Sequence, residues 1–557
     1  MLAADVPWRR KFLFQKETVM QRVIGIRHRV KQTREGEARP TMVAILYPGN
    51  PMDPTVYELE SENDELDFVL RQFPVAWREV TPEDDLSKTP VRHVKWKRVP
   101  KTEKEKIAEL KATRPASHIR QEDGKTFVAE KMAHLFDGFT AGDTVAMILG
   151  GSGDLFAYAL ADRAEKIGSG EVIRIPPFVI KDERAGRPMD EDHILLAELG
   201  LHNRELFHLV RTRDKKLIWM RVCYHQRIDA MKARIGCEQR LIQRTIGTVF
   251  SVPETYAGAS IEKAVIDAKA SSAILKGLET EEAKAENVLA KAVKDLDVFD
   301  KVFEPVEGIG WALATRIISA VQDIRRFADK GKLRAFLGAH VISMAKCEKC
   351  GTAKHRREFW KDNVLVCPNC GAHDAVKPFG IFPRIRNSQV ANWNPDGRQG
   401  LYLFGDQMNR RPGSYWGGRM IAHKKLLREK YPEPFKIVND AGKEVTRMSD
   451  MHVHRTATWK TISDFVDWMF GAWWDLEKGE PIRPFPPLPP ELAKFAPPAG
   501  DDHGKILADG GVTAAEEKPL AKPEEKTSEL DPTENFAAGV ERVAEIVAKD
   551  AELVGAE

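Results

Sequence analysis

Four cysteines form two Cys-x-x-Cys pairs with the spacing of a metal site. Cys347 and Cys350 make the first pair, and Cys367 and Cys370 follow after sixteen intervening residues. Four thiolates in this arrangement can surround one Zn²⁺ tetrahedrally and fill every coordination position, which makes a structural rather than a catalytic site. The sequence therefore predicts a zinc ribbon at 345–373. His355 and His373 lie nearby but are left out of the ligand set.

A glycine turn leads into an apolar helical segment in EPVEGIGWALATRIISAVQDIRRF, at 304–327. Gly308 and Gly310 flank Ile309 in this turn. Backbone N–H groups at the start of such a helix can bind a phosphate without reading its base. This is the helix-hairpin-helix type of DNA contact, and the alternative is a turn that only caps the helix.

Aromatic and basic residues share the stretch 384–430, which is typical of nucleic-acid binding. Aromatic rings can stack on bases while arginine side chains hold phosphates. The predicted stacking residues are Trp393, Tyr415 and Trp416, and the predicted phosphate contacts are Arg384, Arg386 and Arg398. Trp468, Trp473 and Trp474 recur on one helical segment further on and are interpreted as core.

The net charge of +3 conceals two opposite regions. Residues 330–430 carry twenty Lys and Arg against seven Asp and Glu, a net charge of +13. The last 57 residues carry six Lys and Arg against fifteen Asp and Glu, a net charge of −9. A block this basic predicts a polyanionic partner such as DNA or RNA. Residues 481–557 are predicted to be a Pro-rich linker and an acidic disordered tail.

The elements that position these residues fall into three groups. After a basic arm at 1–37, apolar strands at 41–50, 143–150 and 171–180 alternate with helix and predict an α/β domain over 38–214, in which 51–125 is an uncertain insertion. Helical periodicity over 215–300 predicts a long coiled-coil arm. A mostly α-helical domain, containing the glycine turn and the ribbon, is predicted for 301–480.

Several classes of protein are excluded by composition. No run of eighteen uncharged apolar residues is present, so a membrane protein is not expected. The N-terminus is charged where a signal peptide would be apolar, which predicts a cytoplasmic protein.

The motifs together resemble a family of insertion-sequence transposases that pair a RuvC-like (RNase H-like) DEDD domain with a serine-bearing transposase domain. The similar segments are VEGIGWALATRIISAVQDIRRF, ANWNPDGRQGLYLFGDQMNR and HVHRTATWKTISDFVDWMFGAWWDLE, and more loosely AMILGGSGDLFAYALADRAEKIG and DEDHILLAELG. The ribbon is inserted between the first two. The resemblance implies DNA as partner, with a guide RNA, a homo-oligomer, a nucleoid-associated location and Mg²⁺ as catalytic cofactor.

The resemblance also implies site residues. A DEDD site holds two metal ions with carboxylates from two strands and a helix. Asp190 matches the third acidic position and His193 the fourth, with Asp192 adjacent. The first two positions hold Leu46 and either Met147 or Leu149, so two carboxylates are missing unless a nearby aspartate replaces them; the candidates are Asp53, Asp143 and Asp154.

The family's serine nucleophile matches Ser388, which Arg384, Arg386 and Arg398 flank, and Ser343 is the alternative. Cations near such a serine would stabilise the charge that develops when it attacks a phosphate. Two hypotheses follow. The chain is either a DNA transposase or recombinase that cleaves and exchanges strands, or a transposase-derived nucleic-acid-binding protein that has lost catalysis.

Overall fold

The computed structural model describes residues 22–30, 38–100, 104–253, 260–361, 364–383, 391–438 and 444–495. In chain order its strands are β1 Val23–Arg27, β2 Thr41–Tyr47, β3 Asn50–Leu59, β4 Phe73–Glu79, β5 Val94–Val99, β6 Ile119–Glu122, β7 Lys125–Asp137, β8 Thr144–Ile148, β9 Glu171–Ile175, β10 His208–Leu209, β11 Ile342–Cys347, β12 Ala353–His355, β13 Trp360–Lys361, β14 Val364–Leu365, β15 Val376–Ile381, β16 Phe435–Val438 and β17 Glu444–Arg447.

The helices are α1 Glu62–Val69, α2 Lys104–Thr113, α3 Asp154–Ile167, α4 Pro177–Glu183, α5 Asp192–His202, α6 Thr212–Ser251, α7 Ile261–Ser271, α8 Ala273–Lys294, α9 Trp311–Val321, α10 Lys330–Phe336, α11 Arg356–Phe359, α12 Pro395–Arg410, α13 Tyr415–Lys430, α14 Asp450–Lys478 and α15 Pro490–Ala493. In the described part of the chain, no helix combines the length and apolar character needed to cross a membrane.

The larger sheet has the strand order β10-β9-β8-β1-β2-β3. Strands β1, β2 and β3 form an antiparallel meander, and β8 and β9 run parallel to β1. The prediction of an α/β domain with a mixed sheet is therefore confirmed.

The central strand β1 corrects the prediction of a basic arm over 1–37. Val23, Ile24 and Ile26 are buried between β2 and β8, so this part of the arm is the middle of the sheet. Basic residues begin at the last position of the strand, Arg27, and continue in HRVK, and they obscure a four-residue apolar run that has no turn signal of its own. Thr41–Tyr47, interpreted above as the first strand, is the second.

Helices cover both faces of the larger sheet. On one face α1 and α3 pack through Phe68 and Phe156 against Ile24 and Val145. On the other face α5 packs through Leu196 and neighbouring apolar residues against β8 and β9. Burial on both faces explains why these strands are nearly continuous apolar runs.

Residues 51–125, the uncertain insertion, are divided between two sheets. Strand β3 and helix α1 belong to the larger sheet and its covering layer, and β4, β5 and β6 pair with β7 in a second, antiparallel sheet. A small core of Leu86, Val94 and Ala129 stabilises it. Alternating charged and apolar residues are typical of such half-exposed strands, so the high charge of this segment is the solvent face of a sheet.

The predicted arm over 215–300 is a helical hairpin. The 40-residue helix α6 packs against α8, and the ion pair between Arg234 Nε and Glu282 Oε2 (2.5 Å) links them. Toward the base, Tyr224 and Ile228 join Leu289 and Val293 in the main core.

The C-terminal helices α9, α12, α13 and α14 share that core. Trp468 and Trp473 are buried in it, as predicted, and Trp474 packs against its edge. Trp416, predicted to stack on bases, is also buried, with 1% of its surface exposed, and its ring contacts Phe404 and Phe465 edge to face. Its position in the first turn of α13 directs it into the helix bundle, so it is not available to a base.

The segment 481–495 is packed rather than a free linker. Phe485 stacks on Tyr415 with 4.8 Å between ring centroids and contacts Trp468, and Arg483 pairs with Asp475. Tyr415 is therefore also committed to an internal contact. The predicted disordered tail beyond 495 lies outside the described residues.

The close approach of β1 to α5 yields a first prediction. A Cβ atom added at Gly25 would lie 2.0 Å from the carbonyl oxygen of His193 and 2.4 Å from the amide nitrogen of Ala197. Gly25→Ala should therefore lower the free energy of unfolding by about 3 kcal/mol, since backbone must move to admit the methyl group. Urea unfolding would measure it. Gly49→Ala is the matched control, because nothing lies within 4 Å of its Cβ position, and an equal loss in both variants would contradict the prediction.

Candidate functional site

The four predicted zinc ligands lie together. Their sulfur atoms are all within 4.8 Å of one another, with 3.6 Å between Cys347 Sγ and Cys370 Sγ and 3.5 Å between Cys350 Sγ and Cys367 Sγ. No other group of three or more His, Cys, Asp or Glu residues in the described ranges could hold a metal ion. Four sulfurs at this separation fit a tetrahedral Zn²⁺, whose bonds to sulfur are about 2.3 Å.

Each cysteine pair is shaped by the same local turn. Gly351 donates its N–H to the carbonyl of Cys347, and Gly371 donates to the carbonyl of Cys367, both at 2.9 Å. Both glycines have positive φ angles, +75° and +70°, which side chains rarely adopt. A glycine after the second cysteine of each pair thus lets the chain turn back around the metal position.

The pKa values of two cluster thiols move in opposite directions. Hydrogen bonds with Cys350 and Cys347 raise the pKa of Cys370 to about 12, as expected when neighbouring thiols share a proton. Hydrogen bonds from the side chain and backbone of Thr352 lower the pKa of Cys350 to about 6. A thiolate is therefore accessible at neutral pH, and the thiolate is the form that binds metal. The coarser prediction, a four-cysteine site compatible with structural zinc, is confirmed.

The ribbon around this cluster presents basic and aromatic groups to solvent. Arg356 lies over the ring of Trp360, 5.3 Å from its centroid, and half of Trp360 is exposed. Lys349, Arg357 and Lys361 are exposed, and the structure assigns their charged groups no ion pair among the described residues. This surface can meet phosphates and stack on a base.

Arg398, a predicted phosphate contact, is committed to the protein interior. Its guanidinium lies 4.8 Å from the ring centroid of Trp393 and 4.4 Å from that of Trp459. It donates hydrogen bonds to the carbonyls of Gly338 and Pro383, the latter at 2.9 Å. Trp393 is half-buried beside it. Trp393 and Arg398 therefore stabilise the base of the ribbon by packing against each other. The basic and aromatic composition alone did not predict this packing role.

The glycine turn before α9 is partly buried. Gly308 has a φ of +92°, and a Cβ there would lie 3.0 Å from Met408 Cε and 3.1 Å from Arg411 Cδ. Gly310 is the N-cap of α9 and has nothing within 4 Å of its Cβ position. Val306 and Ile309 anchor the turn in the core, so Gly308 has a packing role and Gly310 faces open space.

A second candidate site is the cleft beside the ends of β1 and β8. Its volume is about 450 Å³. We call it the arginine cleft, and it is lined by Ile26, Arg27, His28, Val30, Arg39, Met147, Ile148, Gly150, Gly151, Ser152, Gly153, Arg184, Met189, Asp190 and Asp192. The lining includes the ends of β1 and β8, the first residue of α5, and the loops beside them. A DEDD site would draw its carboxylates from two strands and a helix.

The predicted acidic residues of this cleft are held by arginines. Asp190 Oδ1 lies 2.5 Å from Arg39 Nη1. Asp192 is buried and accepts two hydrogen bonds from Arg184, at 2.7 and 2.6 Å. Both carboxylates are thus neutralised by partners from the protein.

The strand ends supply a cation where a metal site needs carboxylates. Arg27 ends β1, and no hydrogen-bond or ion-pair partner is assigned to it among the described residues. Burial lowers the pKa of His193, and the charge of Arg27 lowers it further. The residues present therefore do not fit a two-Mg²⁺ centre, because both aspartates are paired with arginines and the positive charge of Arg27 would repel the ions.

The other candidate carboxylates do not replace the missing ones. Asp143 pairs with Arg22 at the opposite end of β8, Asp154 pairs with Arg174 and Arg221, and Asp53 is exposed on β3. Leu46, taken as the first acidic position, lies on β2 and packs against Ala197 of α5. Strand β1 was not predicted from the sequence, so Arg27 at its end was missed. Its signal was the apolar run Val23–Ile26 directly before it.

The serine site is outside the described residues, as are Arg384 and Arg386. The alternative serine, Ser343, is exposed on β11 of the ribbon. Compared with protein-family models and with curated proteins, the chain matches none. Function is therefore argued from the site geometry.

Removing zinc should loosen the ribbon alone. A chelator should increase hydrogen exchange over 347–370 and leave 140–300 unchanged, because the ribbon has its own small core and the larger sheet has another. Mass spectrometry would measure both the exchange and the zinc content. Cys350→Ser should lower zinc content, whereas Cys237→Ser, outside the cluster, should retain it. Global unfolding on chelation would contradict the prediction.

The lowered pKa of His193 predicts a pH dependence of stability. In the unfolded chain His193 takes up a proton below about pH 6.5, whereas in the folded protein its lowered pKa keeps it neutral. The contribution of His193 to the free energy of unfolding is therefore present above that pH and is lost as the pH falls. Urea unfolding between about pH 7.5 and 5.5 would show a declining free energy of unfolding. His193→Leu should flatten the decline, and the exposed His202→Gln should not. Unchanged slopes in both variants would refute the prediction.

Proposed function

We propose that this chain is a transposase-derived nucleic-acid-binding protein in which two-metal strand chemistry has been lost. The zinc ribbon and the basic segment at 330–430 bind the phosphate backbone and stack on bases, with DNA as the principal partner. The resemblance to insertion-sequence transposases is the basis for proposing a transposase origin and DNA as the partner. A guide RNA is a further partner within the same proposal, because it offers the same phosphates and bases.

The observation that carries the loss of catalysis is the charge of the arginine cleft. A two-metal site needs several carboxylates free to bind cations. Here Asp190 and Asp192 are each paired with an arginine, and Arg27 adds a positive charge at the end of β1. Mg²⁺ is therefore not part of the proposed mechanism.

The mixed sheet supports the RuvC-like part of the proposal. An antiparallel meander continues into parallel strands, with helices on both faces, and α5 begins beside the ends of β1 and β8. This arrangement is compatible with a domain that once gathered carboxylates from two strands and a helix. The turn before α9 supports a helix-hairpin-helix contact only through Gly310, since Gly308 is packed.

Exposed apolar side chains support the helical hairpin as an assembly surface of a homo-oligomer. Phe250, Ile266 and Ile274 are 72%, 63% and 72% exposed. They belong to α6, α7 and α8, the helices predicted above as the arm.

Binding is tested by fluorescence anisotropy with labelled duplex DNA over a series of salt concentrations. The dissociation constant should rise steeply with salt, because each phosphate contact releases counterions. The double variant Lys349→Gln with Arg357→Gln should reduce the slope of log Kd against log salt by about two. The double variant Lys97→Gln with Lys166→Gln removes the same charge outside the basic segment and should leave the slope unchanged. A flat salt response in the wild type would refute the proposal.

Catalysis is tested on supercoiled DNA with Mg²⁺. The proposed function predicts neither cleavage nor strand exchange, with or without the metal. Strand exchange by the wild type that is lost in Ser388→Ala would instead support the recombinase, the second candidate function. Exchange that persists in Ser388→Ala would remove that serine from the reaction but still overturn the proposed loss of activity.

A further inference from the structure

The charges of the arginine cleft do not balance. The positive charges of Arg39 and Arg184 are matched by Asp190 and Asp192, as described above. His28 lies 3.2 Å from Glu65 Oε1 through Nε2 and 2.9 Å from Ser152 Oγ through Nδ1. Ser152 donates its hydroxyl hydrogen to the carbonyl of Arg29, so it accepts from His28. Nδ1 of His28 is therefore the donor to Ser152, and Nε2 faces the carboxylate of Glu65.

Arg27 is the cation left without a counter-charge in the described part of the cleft. Its Nε atom is shielded from solvent and has no hydrogen-bond partner. Arg27 is partly buried, and an anion entering from outside would give its guanidinium the counter-charge that the described residues do not supply. The arrangement thus favours an anionic ligand and disfavours a cation.

The facing wall of the cleft is built from backbone that can approach an anion closely. Gly151 has a φ angle of +90° and nothing lies within 4 Å of its Cβ position, whereas Gly150, with a φ of +84°, packs against Arg326. The N–H of Gly151 makes a long hydrogen bond of 3.5 Å to Gln322 Oε1. Gly153 caps the 14-residue helix α3, so the N–H groups and the positive end of that helix lie at the same wall. Together with Arg27, this wall offers N–H donors and positive charge of the kind that bind the oxygens of a tetrahedral anion.

We propose that the arginine cleft binds a backbone phosphate of a polynucleotide, with Arg27 as its principal contact. The inference rests on the proposed function, since it assumes a nucleic-acid partner and the absence of a two-metal centre. It adds a second contact region to the ribbon, on a domain that composition alone does not mark as basic. In a RuvC-like DEDD domain, metal ions would lie between the protein and the phosphate. Here the guanidinium of Arg27 would bind the phosphate directly.

The test combines binding with stability in the full chain. Arg27→Gln should raise the Kd for oligonucleotide about tenfold and lower the slope of log Kd against log salt by about one, because one charge-assisted phosphate contact is lost. Arg27→Lys should recover part of the affinity. Without ligand, Arg27→Gln should unfold at the same or a higher temperature than the wild type, since it removes an unpaired charge. A residue that only supports the fold would give a lower unfolding temperature.

Arg187→Gln is the matched control. Arg187 pairs with Glu198 on the same domain and does not line the cleft, so its loss should leave oligonucleotide binding unchanged. Inorganic phosphate and a mononucleotide are separate probes. Protection of the wild type by either at low concentration, with oligonucleotide affinity equal in wild type and Arg27→Gln, would assign the cleft to a small phosphate ligand and overturn the polynucleotide proposal.

The two proposals fail in distinguishable ways. If the wild type binds no oligonucleotide, the proposed function fails. If it binds, the ribbon double variant weakens binding and Arg27→Gln binds as tightly as the wild type, the proposed function stands and this inference is refuted. Weakening by both sets of variants, with the control unaffected, supports both.

Discussion

The contact between β1 and α5 is the constraint on which the rest of the sheet domain depends. A strand at the centre of a sheet is normally separated from a covering helix by side chains, but at Gly25 the backbone of α5 lies where a Cβ atom would be. This proximity brings the first residues of α5, Asp192 and His193, to the end of β1 and therefore to Arg27. Asp190 lies in the turn just before the helix. The charges of the cleft follow from that geometry: aspartates that could have faced metal ions face arginines.

Sequence patterns predicted the parts of this molecule that depend on local chemistry. The cysteine spacing predicted the metal cluster, since a short turn closed by glycine determines both ligands of each pair. Periodicity predicted the helix that became Thr212–Ser251 and the core positions of Trp468 and Trp473. These features need no knowledge of distant contacts.

Features that depend on distant contacts were missed. Strand β1 is five residues long and is defined by its neighbours β2 and β8 on either side, which no window of its own sequence shows. Trp416 and Arg398 have the composition of a nucleic-acid contact, yet the helices that bury Trp416 and the rings that enclose Arg398 come from elsewhere in the chain. The residue types of Trp416 and Arg398 indicated which interactions they can make. Only the tertiary structure shows that both make these interactions within the protein.

Arg398 also joins the two ends of the zinc ribbon at the point where the ribbon leaves the C-terminal helices. The carbonyl of Gly338 precedes the ribbon and that of Pro383 follows it, and one guanidinium binds both. The amide of Asn394 bonds to the carbonyl of Phe336 across the same junction, at 2.7 Å. Residues of the C-terminal helical domain therefore hold the two ends of the ribbon side by side. A segment whose ends lie close together can be gained or exchanged without refolding its surroundings. The surface of the ribbon can therefore change in sequence without disturbing the helical core, because the contacts that join the two lie at this junction.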